Sequence, residues 1–554
     1  MKSTTISVVG TVQGRGTAPD VTLPTQDQIF VNCVPEIAQN PISGQAEVWV
    51  NKLQTYEDLY TTSTTTLQQV YVWEANAGAV VSAGVGASTV EINIGATQVA
   101  SFTKTTFYGV VHISETTLGT QPTLMFQVGN SEGYYLPLNA GVAGTTSTFT
   151  GDLTPGSAVV TNIASTTGIY EGQTLSGTGI AAGTRVQSVD SATQITMTAN
   201  ATSAGGAGTT ITRSNLAKII NANFPGNAGY TLSSGFVHMD GFAFVQTSDG
   251  KVWNSTVNNL ATWTAAGYAP TSNYPDTGKE LCRVSNYIVA FNTGSYDTFI
   301  NAGLSPSPLQ RVPQLSEKIG SANATAMYPS GSSAKEVDAE IYFIGKSSGE
   351  SSGDVAVYRM ATPGRAERVS TGTVEKFLAQ FLSAGSQVLI NGAATFNGQK
   401  SVLIAGWIYF PNMRLWWLQT VYSGSYLSSG RSGRVFTVSG NTKVSVAKPE
   451  SPVYTGVTST MQLAGYELSG GSLTFYDQVE VVAKQRASSG NTTIYTSDDD
   501  GGTWDTQGTV DLSVRPCQLR GLGTSQRRAW KIEDAVAQNH QIQAIRIRYE
   551  GLAH

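Results

Sequence analysis

Charged side chains are scarce in this 554-residue sequence: Asp, Glu, Lys and Arg make up 13% of it, and the formal net charge is −5. Soluble domains usually carry about 25% charged residues. This balance excludes a generally basic nucleic-acid coat and gives no support to binding of an anionic membrane. The hydrophobic fraction of 40% is still enough for a sizeable core, so we expect the chain to fold.

Cysteine and histidine are sparse as well. The cysteines are Cys33, Cys282 and Cys517, and their wide separation favours neither a disulfide framework nor a zinc site. We expect them to be small buried hydrophobic side chains of a chain that folds in a reducing cytoplasm. The four histidines are equally scattered, so a surface or structural role is a simpler interpretation than a catalytic proton shuttle.

Long apolar runs and familiar catalytic motifs are missing. No apolar run approaches the 18 residues of a membrane-spanning helix, and residues 1–5 lack the apolar region of a secretory signal. The sequence contains no P-loop, no G-x-S-x-G motif and no H-E-x-x-H motif. We therefore expect no catalytic residue, no cofactor and no bound metal, and a structural protein rather than an enzyme.

Strand patterns and turn residues are what the sequence has in abundance. It contains 59 glycines, against roughly 39 for average usage. Residues 402–410 and 414–418 read as two strands of a hairpin that turns at 411–413. One helix is predicted at 373–384, where apolar residues recur at i, i+3, i+4, i+7 and i+8.

Pairs of aromatic-containing strands recur along the second half of the chain at intervals of tens of residues. Four-stranded blades repeated about an axis give such spacing. The sequence therefore predicts a mainly β fold, with a β-propeller-like platform and additional β-sandwich or barrel elements. A multi-sheet sandwich is the alternative, and the repeats are too divergent to count blades.

The composition changes sharply between residues 141 and 212. This stretch is almost entirely Gly, Ala, Ser, Thr and Val, yet it keeps a regular strand alternation, which a low-complexity linker rarely does. We interpret it as a small inserted β domain. The predicted division is 1–140 for an N-terminal β platform with the first propeller strands, 141–212 for the insert, 213–450 for blades and the helix, and 451–554 for a C-terminal β region that closes the platform.

The most distinctive short motif is S-x-D-x-G-x-x-W, which is the Asp-box pattern of outer hairpins in sialidase-like propellers. Its residues are Ser497, Asp499, Gly501 and Trp504. It predicts a tight structural turn, because Asp499 can accept backbone N–H bonds and Gly501 can adopt a positive φ. Ca²⁺ binding by the three aspartates at 498–500 is the alternative, although their spacing is not that of an EF-hand loop. As an enzyme signal the motif is weak, since a sialidase also needs an arginine cluster and a Tyr/Glu nucleophile pair.

The C-terminal region is basic, in contrast to the rest of the chain. Its arginines are candidates for contact with a neighbouring subunit or with DNA, since guanidinium groups bind carboxylates and phosphates. A solvated or edge-protecting strand face is the alternative. The candidates are Arg515, Arg520, Arg527, Arg528, Arg546 and Arg548.

Two stretches carry the first part of a family resemblance. Residues 27–36, followed by the strand at 47–52, are similar to an opening R-x-x-N…P-E element, with Asp27 and Gln28 where a basic residue is common. Residues 280–299 are similar to a blade with the pattern F-G-x-S-x-E-x-F, in which Asp297 replaces Glu.

A third stretch, 341–360, is followed by the helix at 373–384 in the same blade-then-helix order, and a "W…PD" approach ending at 275–276 precedes the second stretch. Taken in order, these elements resemble the tail hub, or nozzle, proteins of short-tailed bacteriophages, also known as packaged-DNA stabilisation proteins. The resemblance covers about 1–140 and 213–554.

This resemblance implies a virion protein, assembled in the host cytoplasm as a homo-hexamer beneath the adaptor on the portal. It implies a central tube that retains and then conducts the genome without sequence-specific contact, with tail spike or fibre proteins as further partners. The low charge is consistent with DNA that must slide, and the insert would be a surface decoration that engages a spike, a fibre or a host polymer. The alternatives are an Asp-box propeller glycosidase or depolymerase, and a receptor-binding tail fibre module.

Overall fold

The structure of the chain is a computed structural model. It describes residues 1–7, 29–39, 46–62, 67–74, 80–86, 88–103, 111–118, 121–138, 144–202, 205–271, 276–322, 334–337, 339–347, 355–361, 365–384, 390–421, 428–429, 434–439, 442–448, 452–466, 468–469, 472–499 and 501–552. Strands dominate these ranges, so the fold is mainly β, as the sequence predicts. None of their helices is long and apolar enough to cross a bilayer. Residues 27–28, Pro275 and Asp500, which the sequence patterns include, lie outside the described residues.

Five strands come before the first complete blade of the fold. They are β1 (Lys2–Ser7), β2 (Ile29–Val31), β3 (Cys33–Gln39), β4 (Ala46–Lys52) and β5 (Glu57–Thr61). Strands β1, β2 and β4 pair with strands from the later part of the chain, β3 pairs with β4, and β5 pairs with a strand near residue 445. The N-terminal segment is therefore integrated with the C-terminal one.

The next strands form two blades and the inserted domain. Blade 1 consists of β6 (Leu67–Glu74), β7 (Val80–Gly86), β8 (Thr89–Ile94) and β9 (Thr97–Thr103). Blade 2 begins with β10 (His112–Leu118), β11 (Gln121–Val128) and β12 (Glu132–Pro137). The insert contributes β13 (Thr146–Leu153), β14 (Val159–Thr161), β15 (Gln173–Ser176), β16 (Val186–Ser191) and β17 (Gln194–Met197), and β18 (Thr209–Lys218) then returns to blade 2.

Five further blades follow in chain order, and the last of them is completed by β5. Blade 3 is β19 (Val237–Met239), β20 (Phe242–Gln246), β21 (Lys251–Thr256) and β22 (Asn259–Pro270). Blade 4 is β23 (Gly278–Val284), β24 (Tyr287–Asn292), β25 (Tyr296–Asn301) and β26 (Leu309–Arg311), followed by a 3₁₀ turn (Pro313–Leu315). Blade 5 is β27 (Ile319–Ser321), β28 (Ala334–Val337), β29 (Glu340–Ser347), β30 (Val355–Ala361) and β31 (Glu367–Arg368).

Helix α1 (Gly372–Ser383) leads into blade 6, which is β32 (Ile390–Phe396), β33 (Gln399–Ile404), β34 (Trp407–Phe410) and β35 (Leu415–Leu418). Blade 7 is β36 (Ser428–Ser429), β37 (Val435–Ser439) and β38 (Lys443–Ala447), with β5 as its fourth strand. The remaining strands are β39 (Ser459–Tyr466), β40 (Thr474–Ala483), β41 (Asn491–Ser497), β42 (Asp505–Asp511), β43 (Gln518–Arg520), β44 (Thr524–Ser525), β45 (Arg528–Asp534) and β46 (Gln541–Gly551).

Within the described residues the seven blades form a closed ring. Each pair of neighbouring blades shares one hydrophobic cluster. Blade 7 and blade 1 share one as well, which closes the ring. The first strands of most neighbouring blades contact each other directly, so the first strands surround the axis and the fourth strands form the rim. The architecture is a β-propeller whose ring is closed by β5 from the N-terminal segment.

A β-sandwich is attached to blade 6. Its first sheet contains β1, β3, β4, β40, β43, β44 and β46, and its second contains β2, β39, β45, β41 and β42. The second sheet continues into blade 6 through a parallel contact between Val31 and Leu418. One hydrophobic cluster fills the sandwich and reaches blades 6 and 7, so the sandwich packs on the propeller rather than hanging from it.

Turn residues define several blade hairpins, and one of them corrects a sequence prediction. Paired positive φ values occur at Asp240–Gly241, Asn397–Gly398 and Ala405–Gly406, as a tight type I′ hairpin turn requires. The last pair splits the predicted strand 402–410 into β33 and β34, so the prediction of one continuous strand is wrong. The hairpin at 411–413 is present, and the predicted helix is confirmed as α1 with Val374 and Leu378 buried between blades 5 and 6.

Candidate functional site

The Asp-box residues form the turn between β41 and β42 in the sandwich, not on a blade. Ser497 Oγ donates to Asp499 Oδ1 at 2.6 Å, and the Thr503 amide donates to the same oxygen at 2.8 Å. Gly501 has φ +92°, and its amide donates to Ser497 Oγ at 2.7 Å. These hydrogen bonds lower the pKa of Asp499 to about 2. The carboxylate is thus engaged by donors of its own turn.

Trp504 belongs to a small surface cluster on the same sheet. The Lys531 ammonium lies 5.2 Å from the centre of the Trp504 ring and 4.2 Å from that of Tyr495, at cation–π distances. Asp498 is paired with an arginine on β45. In the described part of the chain, no group of His, Cys, Asp or Glu side chains is arranged to hold a metal ion.

Three of the six candidate arginines are committed to contacts within the chain. Arg528 is only 4% exposed; its guanidinium makes two 2.7 Å bonds to Asp498 and lies over the Tyr476 ring. Arg515 donates to the carbonyl of Ala483. Arg527 is half-buried and also has interactions. Arg528 therefore holds the Asp-box hairpin in place.

The other three arginines lie together on the outer side of the first sandwich sheet. Arg546 is opposite Glu480 and makes a 2.9 Å ion pair with it. Arg548 and Arg520 are both opposite Gln478, on the two strands that flank β40. Strands are about 4.8 Å apart, so the backbones of these two arginines are about 10 Å apart. We call Arg520, Arg546 and Arg548 the arginine face.

Two residues of the arginine face carry unneutralised charge. Arg520 and Arg548 are exposed, and neither has an ion-pair partner among the described residues. The sequence pattern places Arg546 and Arg548 on one strand face, but only the register of β43, β40 and β46 brings Arg520 beside them. Guanidinium groups of this kind can bind carboxylate or phosphate oxygens.

A buried ion cluster in the sandwich is a site that the sequence reasoning missed. Asp534 accepts from Lys52 Nζ at 3.1 Å, Arg486 Nη1 at 3.0 Å and His540 Nδ1 at 3.0 Å. The side chains of Lys52, Asp534 and His540 are 0% exposed and that of Arg486 is 2% exposed. No substrate reaches groups buried to this degree, so the cluster is structural. It joins β4 from the N-terminal segment to β45 from the C-terminal one.

The pKa values in the cluster follow from burial and charge. Burial alone raises the pKa of Asp534, but the hydrogen bond from His540 and the hydrogen bond and positive charge of Lys52 bring it below its ordinary value. Burial lowers the pKa of His540, and Asp534 only partly opposes this. The histidine is therefore neutral near pH 7 and donates from Nδ1 to the carboxylate.

Three charged residues lie on the first strands, which surround the axial passage of the propeller: Glu115 on β10, and Lys335 and Glu336 on β28. Burial lowers the pKa of Lys335, and the charge of Glu115 partly offsets this. Burial also raises the pKa of Glu336, although its side chain reaches solvent; Arg283 opposes this shift and Glu115 adds to it. Between most neighbouring blades the Cα atoms of the first strands approach within 8 Å of each other, so the passage that they surround is narrow.

Comparison with known proteins identifies the family. Residues 122–413, more than half of the chain, match the family described as "Bacteriophage P22 Gp10, beta-propeller". The chain belongs to this family. It is therefore a phage DNA-stabilisation or tail hub protein with a β-propeller, in a family of structural virion proteins. The sequence resemblance to packaged-DNA stabilisation proteins is confirmed.

Solved structures give only distant likenesses. A streptogramin B lyase matches at 10% identity over 71% of this chain and 96% of its own, with a TM-score of 0.36. BamB from Moraxella catarrhalis matches at 12% identity over 70% and 96%, with a TM-score of 0.32. The phage phi92 endosialidase matches at 11% identity over 90% and 72%, with a TM-score of 0.26. No curated protein sequence matches this chain, and a shared propeller does not indicate a shared activity.

The insert of this phage protein is anchored firmly to blade 2. Strand β18 pairs with β13 of the insert along 209–214 and with β12 of the blade at 217–218, so one strand belongs to both. Asn215 is 4% exposed and donates to the carbonyls of Gly144 and of Val99 in blade 1. A hydrophobic cluster within the insert supplies its own core. The insert thus has its own hydrophobic core and is joined to the rim of the propeller by β18, which it shares with blade 2.

We expect the propeller to fold without the insert. The amide of Asn215 donates to the carbonyl of Thr145 at 3.1 Å, so the two ends already lie side by side. Replacing residues 146–214 with an Asn-Gly turn should leave a soluble protein whose propeller still melts cooperatively, since the insert's core is its own; the melting temperature should fall only by what the loss of Tyr170 from the cluster of blades 2 and 3 costs. Calorimetry and size-exclusion chromatography measure this. As a control, deletion of blade 3 (residues 237–270) should prevent folding. If the deletion of 146–214 gave insoluble protein, the interpretation of this segment as an inserted domain would be wrong.

Proposed function

We propose that the protein is the hexameric hub, or nozzle, of a short phage tail, attached to the portal–adaptor complex and forming the channel that retains and then conducts packaged DNA. Family membership carries this proposal. The fold supports it as well. Strands from both ends of the chain pair in one sandwich that packs on the closed ring, and such an arrangement suits a component that bears load in a virion. Adaptor, tail spike or fibre proteins and genomic DNA are the proposed partners.

The proposed DNA channel lies between subunits and not along the propeller axis. The axial passage is narrow, because the Cα atoms of the first strands that surround it approach within 8 Å of each other between most neighbouring blades. The major groove of a DNA duplex is by itself about 12 Å wide, so the whole duplex is wider still. A tube formed by several chains about a common axis satisfies this requirement.

The glycosidase alternative receives no support from the geometry. Asp499 of the Asp-box is held by its own turn, and the buried Asp534 cluster is closed to substrate. The decisive experiment is to purify the protein alone and with its adaptor and portal, and to measure particle mass. We expect an assembly of six chains of 58.4 kDa that forms with the adaptor. A monomer that ignores the adaptor and cleaves glycans would overturn the proposal.

Within this assembly we propose that the arginine face contacts carboxylates of the neighbouring subunit. The chain offers 38 acidic residues against 33 basic ones, so a second copy presents an excess of negative charge. The double variant Arg520→Glu, Arg548→Glu should lower the assembled fraction at least tenfold at low salt, because the introduced carboxylates repel the carboxylates of the neighbouring subunit that the arginines attract. Analytical ultracentrifugation with the adaptor measures the fraction.

The matched control is Arg365→Glu, an exposed arginine at the rim of blade 5, which should leave assembly unchanged. Assembly that survives the double exchange would show that the arginine face is not a subunit contact. If particles with the double exchange then lose packaged DNA, the face contacts phosphate instead.

A further inference from the structure

The outer side of the insert's main sheet is covered with hydroxyl groups. Three strands, β13, β18 and β15, lie side by side, with a bulge in β15 between Gln173 and Leu175, and most of their inward residues fill the insert's core. The outward residues form three rows across the strands. We call this set the hydroxyl face; its members are Thr146, Thr148, Thr150, Thr174, Ser176, Thr210, Thr212 and Ser214.

Register and spacing make the hydroxyl face a regular array. Thr148 is directly opposite Thr212, which is directly opposite Ser176 on the next strand. Strands are about 4.8 Å apart, and alternate residues along a strand are about 7 Å apart. The array therefore presents hydroxyl and methyl groups in turn over a flat surface that is three strands wide.

Most of these hydroxyls are available to a ligand. Thr146, Thr148, Thr150, Thr210 and Ser176 are exposed, and among the described residues their hydroxyls have no hydrogen-bond partner. The neighbouring hairpin of β16 and β17 differs, because there Asp190 accepts from Ser188 at 2.6 Å and from Thr196 at 2.7 Å. Hydroxyls of the hairpin are satisfied within the protein, whereas those of the face are turned to the outside.

The hydroxyl face carries no charge. Two charged residues of opposite sign border it: Asp152, which accepts from the Gly208 amide at 2.7 Å, and Arg185, which donates to the Gly172 carbonyl at 2.7 Å. A charged polymer would lose hydration here without gaining a net ionic attraction. The hydroxyl face therefore suits a ligand that carries no charge.

The face also lacks what a protein partner needs. Energetic anchors of protein interfaces are mostly Trp, Tyr and Arg, and none of the eight positions holds one. The two aromatic residues of the insert are turned away, since Phe149 packs on its core and Tyr170 on the cluster of blades 2 and 3.

We propose that the hydroxyl face binds an uncharged polysaccharide chain. Such a chain offers hydroxyl donors and acceptors alternating with C–H groups, which match the hydroxyls and methyls of threonine. The position suits this role, because the insert leaves the ring between the third and fourth strands of blade 2, at the rim. The inference is independent of hexamer formation.

Binding of the full-length protein to immobilised dextran, mannan and galactan tests this proposal, with heparin and polygalacturonate as charged comparisons. We expect retention on at least one neutral polymer and none on the charged ones. Thr148→Val with Thr212→Val should weaken that retention about tenfold, because two hydroxyls are lost while shape and strand preference are kept. Thr193→Val, an exposed threonine of the hairpin turn, is the matched control and should bind as the parent does.

Circular dichroism and the melting transition confirm that each variant is folded. Three results would overturn the proposal: no retention on any neutral polymer, equal retention on charged polymers, or retention that the double variant leaves unchanged. A change in self-association of the Thr148→Val, Thr212→Val variant would also overturn it, since the hydroxyl face would then bind a second copy of this chain.

Discussion

Asp534→Asn should destabilise the sandwich by about 3–5 kcal/mol, because it leaves two buried cations without their common carboxylate. Lys52 Nζ and Arg486 Nη1 both lie within 3.1 Å of Asp534, and all three side chains are at most 2% exposed. Removing one partner of such a cluster costs far more than the cluster contributes as a whole. For a unit of this size, we expect its melting temperature to fall by roughly 10 °C. Calorimetry and limited proteolysis near the N-terminal segment measure the loss.

Asp58→Asn is the matched control for this prediction. Asp58 also pairs with a lysine, Lys443, but their side chains are 45% and 43% exposed, so the expected loss is about 1 kcal/mol or less. Adding Lys52→Met to Asp534→Asn should recover part of the stability, because it removes one orphaned charge. A single Asp534→Asn variant as stable as the parent would show that the cluster does not hold the sandwich together.

Gly320→Ala should disrupt the contact between blades 4 and 5. A Cβ at this position would lie 2.3 Å from the carbonyl carbon and oxygen of Thr293 and 2.4 Å from the amide nitrogen of Gly294. That turn cannot easily retreat, since Thr293 donates to the Thr277 carbonyl at 3.0 Å and Gly294 donates to Asp276 at 3.2 Å. The cost should reach or exceed the upper end of the about 1–3 kcal/mol usual for overpacking. Hydrogen exchange in β24, β25 and β29 measures the opening.

Gly206→Ala is the control, because nothing lies within 4 Å of its Cβ position. This exchange should leave the melting transitions of the propeller and the insert unchanged. If the amide hydrogens of β24, β25 and β29 exchanged as slowly in the Gly320→Ala variant as in the parent, the close packing of blades 4 and 5 would not be needed to keep the ring closed.

Local patterns predicted the features that depend on a few neighbouring residues. The Asp-box turn requires only the spacing of Ser497, Asp499 and Gly501, and these residues make the bonds that the motif suggests. The apolar stripe of α1 and the composition of the insert are local in the same sense. Local reasoning failed at Ala405–Gly406, where an apolar run conceals a hairpin turn.

Contacts between distant residues could not be read in this way. The ring closes where Lys443 pairs with Asp58, and the sandwich is held where Lys52 meets Asp534. Each side chain by itself is an ordinary lysine or aspartate in the sequence. Only the fold determines that one pair is exposed and another is removed from water.

By itself, the sequence determined a mainly β protein with few charges and a family, and it predicted an inserted Ser- and Thr-rich domain. These follow from composition, from alternation along single strands and from short motifs. The tertiary structure alone decided the number of blades, the narrow axial passage, the arginine face and the hydroxyl face. The reason is that register between strands and closure of a ring depend on pairing of residues far apart in the chain, which leaves no pattern within any one segment.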